Sequence, residues 1–230
     1  MIKYDKSKPL ISLHIPKTGG TSFTEVLRNW YGDNLYLHYS HLYDDRVPRK
    51  FKIKEGFLFK KYKPGVCIHG HFNMNMKQGA VHYYPFVDQF ITILRDPFKK
   101  MLSNYHFTKL QVDRGEYVIP QRLKMLELTL EEYVSTKRNS YFNFFPRKIN
   151  RKNYRELIDK YFIYIGLMED YQTSVDILSD KLGFESIPVP HKNSTKKEVA
   201  ISDWAKQEFN RNHEFEYEVY NYVKENYKNW

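Results

Sequence analysis

The stretch Leu10-Ile-Ser-Leu-His-Ile-Pro-Lys-Thr-Gly-Gly-Thr-Ser-Phe-Thr-Glu-Val-Leu-Arg-Asn-Trp30 changes its hydrophobic period part-way along. Residues 10–15 form a short apolar run, the pattern of a parallel strand buried on both faces. In the following segment, 21–30, Phe23, Val26, Leu27 and Trp30 fall at helical spacing. Between the two lie Pro16, Lys17 and the pair Gly19-Gly20. The glycines allow a tight turn whose backbone N–H groups point inward. Thr21 and Ser22 then open a helix whose N-terminus favours an anion. Lys17 precedes the glycines, whereas the nucleotide P-loop G-x-x-x-x-G-K-[ST] places its lysine after them, so this is a different cradle. A plain Gly-Gly turn between strand and helix fits the same residues.

Outward from this segment, three more apolar runs read as strands, at 66–69, 90–94 and 162–166. Helical patterns follow at 97–109 and 170–181, with Pro97 at a first helical position and Gly183 as a C-terminal stop. Thr129 and Glu132 have capping-box spacing. Ser202 can cap a last helix through Trp204, with Phe215, Val219, Tyr222 and Val223 on one face. The alternation predicts a three-layer α/β domain with a mainly parallel central sheet. A chain of 230 residues suits one domain spanning 1–230, with less regular insertions at about 32–65 and 110–160 that shape a pocket.

Composition narrows the partners. The net charge of +10, from 37 Lys+Arg and 27 Asp+Glu, attracts anions. Basic residues cluster over 46–63 and over 147–155, where a solvated face is the plain reading. A single cysteine, Cys67, excludes an intramolecular disulfide framework and an all-cysteine zinc site. No apolar stretch approaches the roughly 18 residues of a membrane span, so a soluble, cytoplasmic protein without a transmembrane segment is expected.

Two further segments carry chemistry. In Ile91-Thr-Ile-Leu-Arg-Asp-Pro-Phe-Lys-Lys-Met-Leu-Ser-Asn-Tyr105, Arg95 ends a strand with a planar fork suited to phosphate, and Ser103 lies about two helical turns further on. Pairing of Arg95 with Asp96 or a helix carboxylate is the competing reading. In Ile68-His-Gly-His-Phe72, alternation puts His69 and His71 on one side unless Gly70 bends the chain. A metal pair, two structural histidines, or a general base all fit that spacing; imidazole is suited to deprotonating a hydroxyl near neutral pH.

The nonapeptide HIPKTGGTS, residues 14–22, resembles the 5′-phosphosulfate loop of sulfotransferases in the carbohydrate, heparan sulfate 2-O/6-O-like branch. LRDP…S-x-Y resembles the same family's 3′-phosphate motif, with Lys100 where the family often has arginine. The segments 166–171 and 189–194 are similar to its late cofactor-covering loop. The resemblance implies a P-loop NTPase-like sulfotransferase fold and 3′-phosphoadenosine 5′-phosphosulfate (PAPS) as donor, with adenosine 3′,5′-bisphosphate (PAP) as product. It implies donor binding by Lys17, Thr18, Gly19, Gly20, Thr21, Ser22, Arg95, Ser103, Asn193 and Ser194, with His191 and Lys192 beside them. His71 would be the base, His69 its support, and Lys17 the group that neutralises the leaving phosphate oxygen; no metal is needed. The acid limb of the pH–rate profile is then expected near 6–7, as for an ordinary imidazole. The acceptor would be a carbohydrate or other hydroxyl-bearing, even anionic, molecule. A P-loop-type small-molecule kinase is the alternative, opposed by the displaced lysine. A basic nucleic-acid-binding protein is another, opposed by the absence of any recognition motif. Oligomeric state is not encoded in any pattern here.

Overall fold

The structure is a computed structural model that describes residues 1–39, 65–76, 78–118, 120–136, 141–190 and 200–230. Five strands form one parallel sheet: β1 (Leu10–Leu13), β2 (Leu35–His38), β3 (Cys67–Gly70), β4 (Phe90–Leu94) and β5 (Phe162–Leu167). Their spatial order is β2-β3-β1-β4-β5. Every residue of β1, β3, β4 and β5 is buried, so both faces of the sheet are covered, as their continuous apolar runs require. The helices are α1 (Gly20–Tyr31), α2 (Ala80–Tyr83), α3 (Pro97–Asp113), α4 (Pro120–Leu123), α5 (Leu130–Thr136), α6 (Tyr154–Tyr161), α7 (Tyr171–Leu182), α8 (Asp203–Asn212) and α9 (Glu214–Asn226). The expected α/β class is the observed one.

Local chemistry sets most boundaries. The His14 amide still donates to Gly70 O at 2.8 Å, but Pro16 has no N–H to continue the ladder, so β1 ends early. Asp96 caps α3 by accepting from the Lys99 amide at 2.9 Å, with Pro97 in its first turn. Thr129 and Glu132 form the reciprocal capping box, at 2.8 and 3.3 Å. Gly183 ends α7 in the left-handed region.

Two expectations change. The segment 32–65 contributes a strand, β2, where an irregular insertion was expected; LYLH is only partly buried at the sheet edge and lacks the run that marks its neighbours. The last helix is two, because the chain breaks at His213 between α8 and α9. Ser202 caps α8 through the Ala205 amide, at 3.3 Å, while Trp204 stays 60% exposed.

The sheet order positions the site. From β1 the chain leaves toward β2 on one side, whereas from β4 it leaves toward β5 on the other. The carboxyl ends of adjacent β1 and β4 therefore flank a topological switch point, where α/β sheets open a crevice. The loop carrying Lys17 leaves one of these ends and Arg95 leaves the other. A second cluster of buried apolar residues, including Met101, Met125, Tyr133, Val134, Ala205 and Phe209, ties α3, α5 and α8 together beside the main core.

Candidate active site

The β1–α1 loop is held open by its own side chains. Lys17 and Gly19 both have positive φ, 70° and 84°, and among the described residues Lys17 is the non-glycine residue in this conformation. Thr18 spends its hydroxyl on Ile15 O at 2.9 Å, and Thr92 of β4 donates to Leu13 O at 2.8 Å. Tyr171, at the start of α7, donates to Gly19 O at 2.8 Å. Gly20 is needed for room: a Cβ there would lie 1.7 Å from His14 Nε2. No side chain caps α1 and no acidic residue sits in its first turn, so its N-terminal amides suit an anion. Thr21 is exposed and Ser22 buried in that turn.

Three cations converge on this loop. Arg95 donates from Nη1 to the Lys17 carbonyl at 3.1 Å. Asp96 is engaged as a helix cap, and Glu169 accepts from the Asp96 amide and from the Tyr220 hydroxyl, both at 3.0 Å. Arg95 thus spends a donor on the loop, while Glu169 and Asp96 act on its charge through space. Lys17 Nζ lies 3.6 Å from the centroid of the Phe107 ring, and the Arg122 guanidinium carbon lies 5.5 Å from the same centroid. Burial, then the like charges of Arg122 and Arg95, hold Lys17 down at about 8. Ser103 lies in the second turn of α3, partly buried.

Three imidazoles stand beside the cations. His14 stacks on His69 and His71, with ring centroids 5.2 and 4.2 Å apart, and its Nδ1 meets the Tyr39 hydroxyl at 2.8 Å. His69 is fully buried with Nδ1 2.9 Å from Ser12 Oγ, and burial drives its pKa down to about 3. His71 is partly exposed, and its Nδ1 lies 2.7 Å from His14 O. A carbonyl only accepts, so Nδ1 carries the proton and Nε2 is the basic nitrogen. Burial lowers the pKa of His71 from 6.5, which shifts the expected acid limb downward from the ordinary imidazole value. Gly70 keeps this geometry, since a Cβ there would lie 1.9 Å from His38 O. Among the described residues no group of three or more His, Cys, Asp and Glu is arranged to hold a metal ion.

The family model described as the sulfotransferase family matches residues 1–228. The chain belongs to the sulfotransferase family. Among curated proteins none matches it. Two solved structures resemble this sulfotransferase-family chain at 15% identity. One is mouse sulfotransferase SULT7A1 complexed with PAP, with a TM-score of 0.44 over 89% of this chain and 63% of that one. The other is a sulfotransferase from Alicyclobacillus acidocaldarius, with a TM-score of 0.47 over 89% of this chain and 92% of that one. The chain therefore spans less than two thirds of the mouse protein.

The structure brings Lys17, Thr18, Gly19, Gly20, Thr21 and Ser22 together with Arg95, and places His71 against the residue that opens the same loop. Asn193 and Ser194, with His191 and Lys192, lie outside the described residues, as does the basic cluster over 46–63. In the other basic cluster Arg151 pairs with Glu214 at 2.9 Å and Glu218 at 3.4 Å, while the Arg147 and Arg155 guanidinium groups lie over the Tyr161 and Tyr154 rings. Residues without a role in the sequence reading are His14, Tyr39, Phe107, Arg122 and Tyr171. His14 and Tyr171 stand inside quoted motifs; Arg122 has no local signal at all. No helix among the described residues is long and apolar enough to cross a membrane.

Proposed function

We propose that this chain transfers a sulfuryl group from PAPS to a hydroxyl of a carbohydrate acceptor. The observation that carries the reading is the uncapped N-terminus of α1 flanked by Lys17 and Arg95, with the basic Nε2 of His71 left available beside it. The residues present fit a phosphosulfate nucleotide: they offer cations and amides, and among the described residues the charges acting on Lys17 include no carboxylate. Bound there, PAPS supplies the activated sulfuryl group.

In this scheme the Thr18–Ser22 amides hold the phosphosulfate, and Arg95 with Ser103 holds the 3′-phosphate. Lys17 stabilises negative charge on the leaving oxygen, and His71 takes the acceptor proton on Nε2. Asn193 and Ser194 cover the nucleotide. Segments 32–65 and 110–160 frame the acceptor side of a single catalytic domain. The carbohydrate class rests on the HIPKTGGTS resemblance and suits the basic surface.

The decisive experiment is calorimetry of PAP, adenosine 5′-monophosphate and ATP–Mg²⁺ with the whole chain, EDTA being present in the first two. PAP is expected to bind without divalent metal and more tightly than adenosine 5′-monophosphate. Preference for ATP–Mg²⁺ would replace this reading with a kinase. A glycan and small-alcohol panel with labelled PAPS then reads the acceptor class; transfer confined to small alcohols or phenols would overturn the carbohydrate assignment.

A further inference from the structure

Arg122 lies in α4, within a stretch whose sequence carries no motif. Its Nη2 donates to Thr108 Oγ1 at 2.8 Å, and Thr108 is fully buried in α3, where its own hydroxyl donates to Asn104 O at 3.0 Å. That bond fastens the guanidinium to the fourth turn of α3. Next to Thr108, the ring of Phe107 is 38% exposed and faces two cations, Lys17 Nζ at 3.6 Å and the Arg122 guanidinium carbon at 5.5 Å. Phe107 is thus a shared platform that holds the two side chains at a fixed spacing.

Such a placement is costly without a partner. Two cations share one ring, a third, Arg95, hydrogen-bonds the Lys17 carbonyl, and the charged groups acting on Lys17 are both positive. Burial adds to the cost for Lys17 and for Arg122 alike. An anion lying between them would remove the repulsion and accept the guanidinium's remaining donors. Of the two charges acting on Lys17, Arg122 has the greater effect, and Lys17 belongs to the loop that opens α1.

We infer that Arg122 completes the donor-anion site: anchored on Thr108 and Phe107, it binds the 5′-phosphosulfate end of the nucleotide together with Lys17. This rests on the PAPS reading above and assigns to the donor side a residue from a segment otherwise expected to frame the acceptor. Arginine rather than lysine suits the position, because one N–H is spent on Thr108 while others stay free for oxygen.

The test is calorimetry of PAP and of adenosine 5′-monophosphate with wild type, Arg122→Gln, Arg122→Lys and Thr108→Val, each checked by thermal melting. Arg122→Gln should weaken both nucleotides by a similar factor, roughly 10–100-fold, the range of a hydrogen bond between charged groups. Arg122→Lys should recover part of that loss, and Thr108→Val, which releases the tether and keeps the charge, should lose about 3-fold. A loss confined to PAP would place Arg122 on the 3′-phosphate and overturn the assignment. Unchanged nucleotide affinity with a raised acceptor KM would move it to the acceptor side, also against the inference. If Arg122→Gln does not fold, the Arg122→Lys and Thr108→Val pair decides: wild-type affinity in both overturns it. A wild-type chain that binds no PAP defeats the PAPS reading itself, a result distinct from any difference among variants.

Discussion

Desolvation acts on both the cationic and the imidazole halves of the site, yet one stays charged and the other ends up neutral. Desolvation is the leading influence on Lys17, His14, His69 and His71. Lysine starts at 10.5 and comes down only to about 8, so it remains mostly protonated at neutral pH. Histidine starts at 6.5 and is pushed lower, so all three imidazoles are neutral there. One physical cause therefore leaves a cationic end and a neutral imidazole end a few residues apart. The segment from His14 to Gly20 belongs to both, since the His14 carbonyl holds His71 and the Lys17 carbonyl holds Arg95.

The largest effect that would break this comparison is expected at the imidazole end. His71→Ala should lower turnover by about 10²-fold or more, the range of a positioned general base, with PAP affinity unchanged. His69→Ala should act differently. Its ring fills a fully buried site and meets Ser12 Oγ at 2.9 Å, so the loss falls on stability, by roughly 1–3 kcal/mol. Steady-state turnover and thermal melting of the two variants separate the roles. Near-normal turnover in His71→Ala would remove it as the base.

Next in size is Arg95→Ala at the cationic end. Loss of a charge-assisted fork should weaken PAP by roughly 10–100-fold and leave adenosine 5′-monophosphate within a few-fold of wild type. Equal losses on the two nucleotides in a titration would show that Arg95 serves the loop, through the Lys17 carbonyl, and not the 3′-phosphate.

These two ends were unequally legible in sequence. The strand–loop–helix of residues 10–30 is local, with hydrophobic period and turn residues in one stretch, and the structure has the strand at Leu10–Leu13 and the helix at Gly20–Tyr31. β2 was missed because a partly buried edge strand of four residues lacks the apolar run of its neighbours. The separation of His69 from His71 was invisible for another reason. His69 lies in β3 and His71 directly after it, and only their neighbours from the β1 side, Ser12 and the His14 carbonyl, make one ring structural and leave the other partly open. Arg122 is tied to α3 by a hydrogen bond to Thr108 across 14 residues and lies over the partly exposed Phe107 ring, an arrangement no spacing rule encodes.

A smaller effect, several-fold, is expected in the pH dependence, where the two ends should titrate in opposite directions. An anion beside Lys17 favours its charged form, so binding PAP raises the pKa of that amine from about 8. Affinity should then be full below pH 8 and fall as pH rises through it, because a proton must be taken up first. At pH 8 the uptake should be about half a proton, visible as a dependence of calorimetric heat on the buffer. Turnover, by contrast, should hold on the acid side until below pH 6.5, since His71 resists protonation. A PAP affinity that is flat from pH 7 to 9, or a turnover limb centred above 6.5, would each undo one half of the comparison.

The smallest effect, and the one that sharpens the boundary between the halves, belongs to Tyr39. Its hydroxyl meets His14 Nδ1 at 2.8 Å, and its ring stands edge-on to His71 with centroids 5.0 Å apart. Tyr39→Phe keeps the ring and removes the hydroxyl's bond to His14, together with its weaker interaction with Thr24, which costs about 1 kcal/mol of stability. The link that fixes the His71 tautomer runs through the His14 backbone carbonyl and does not need the His14 ring bond. Turnover in Tyr39→Phe should therefore stay within about 3-fold of wild type, with PAP affinity unchanged, because one modest hydrogen bond is lost from a stack that three rings still hold. The measurement is a pH–rate profile alongside a melting curve. A loss approaching that of His71→Ala would mean that the phenol lies on the path of the proton, and the imidazole end would then be a relay of Tyr39, His14 and His71 rather than a single base held in place by its neighbours.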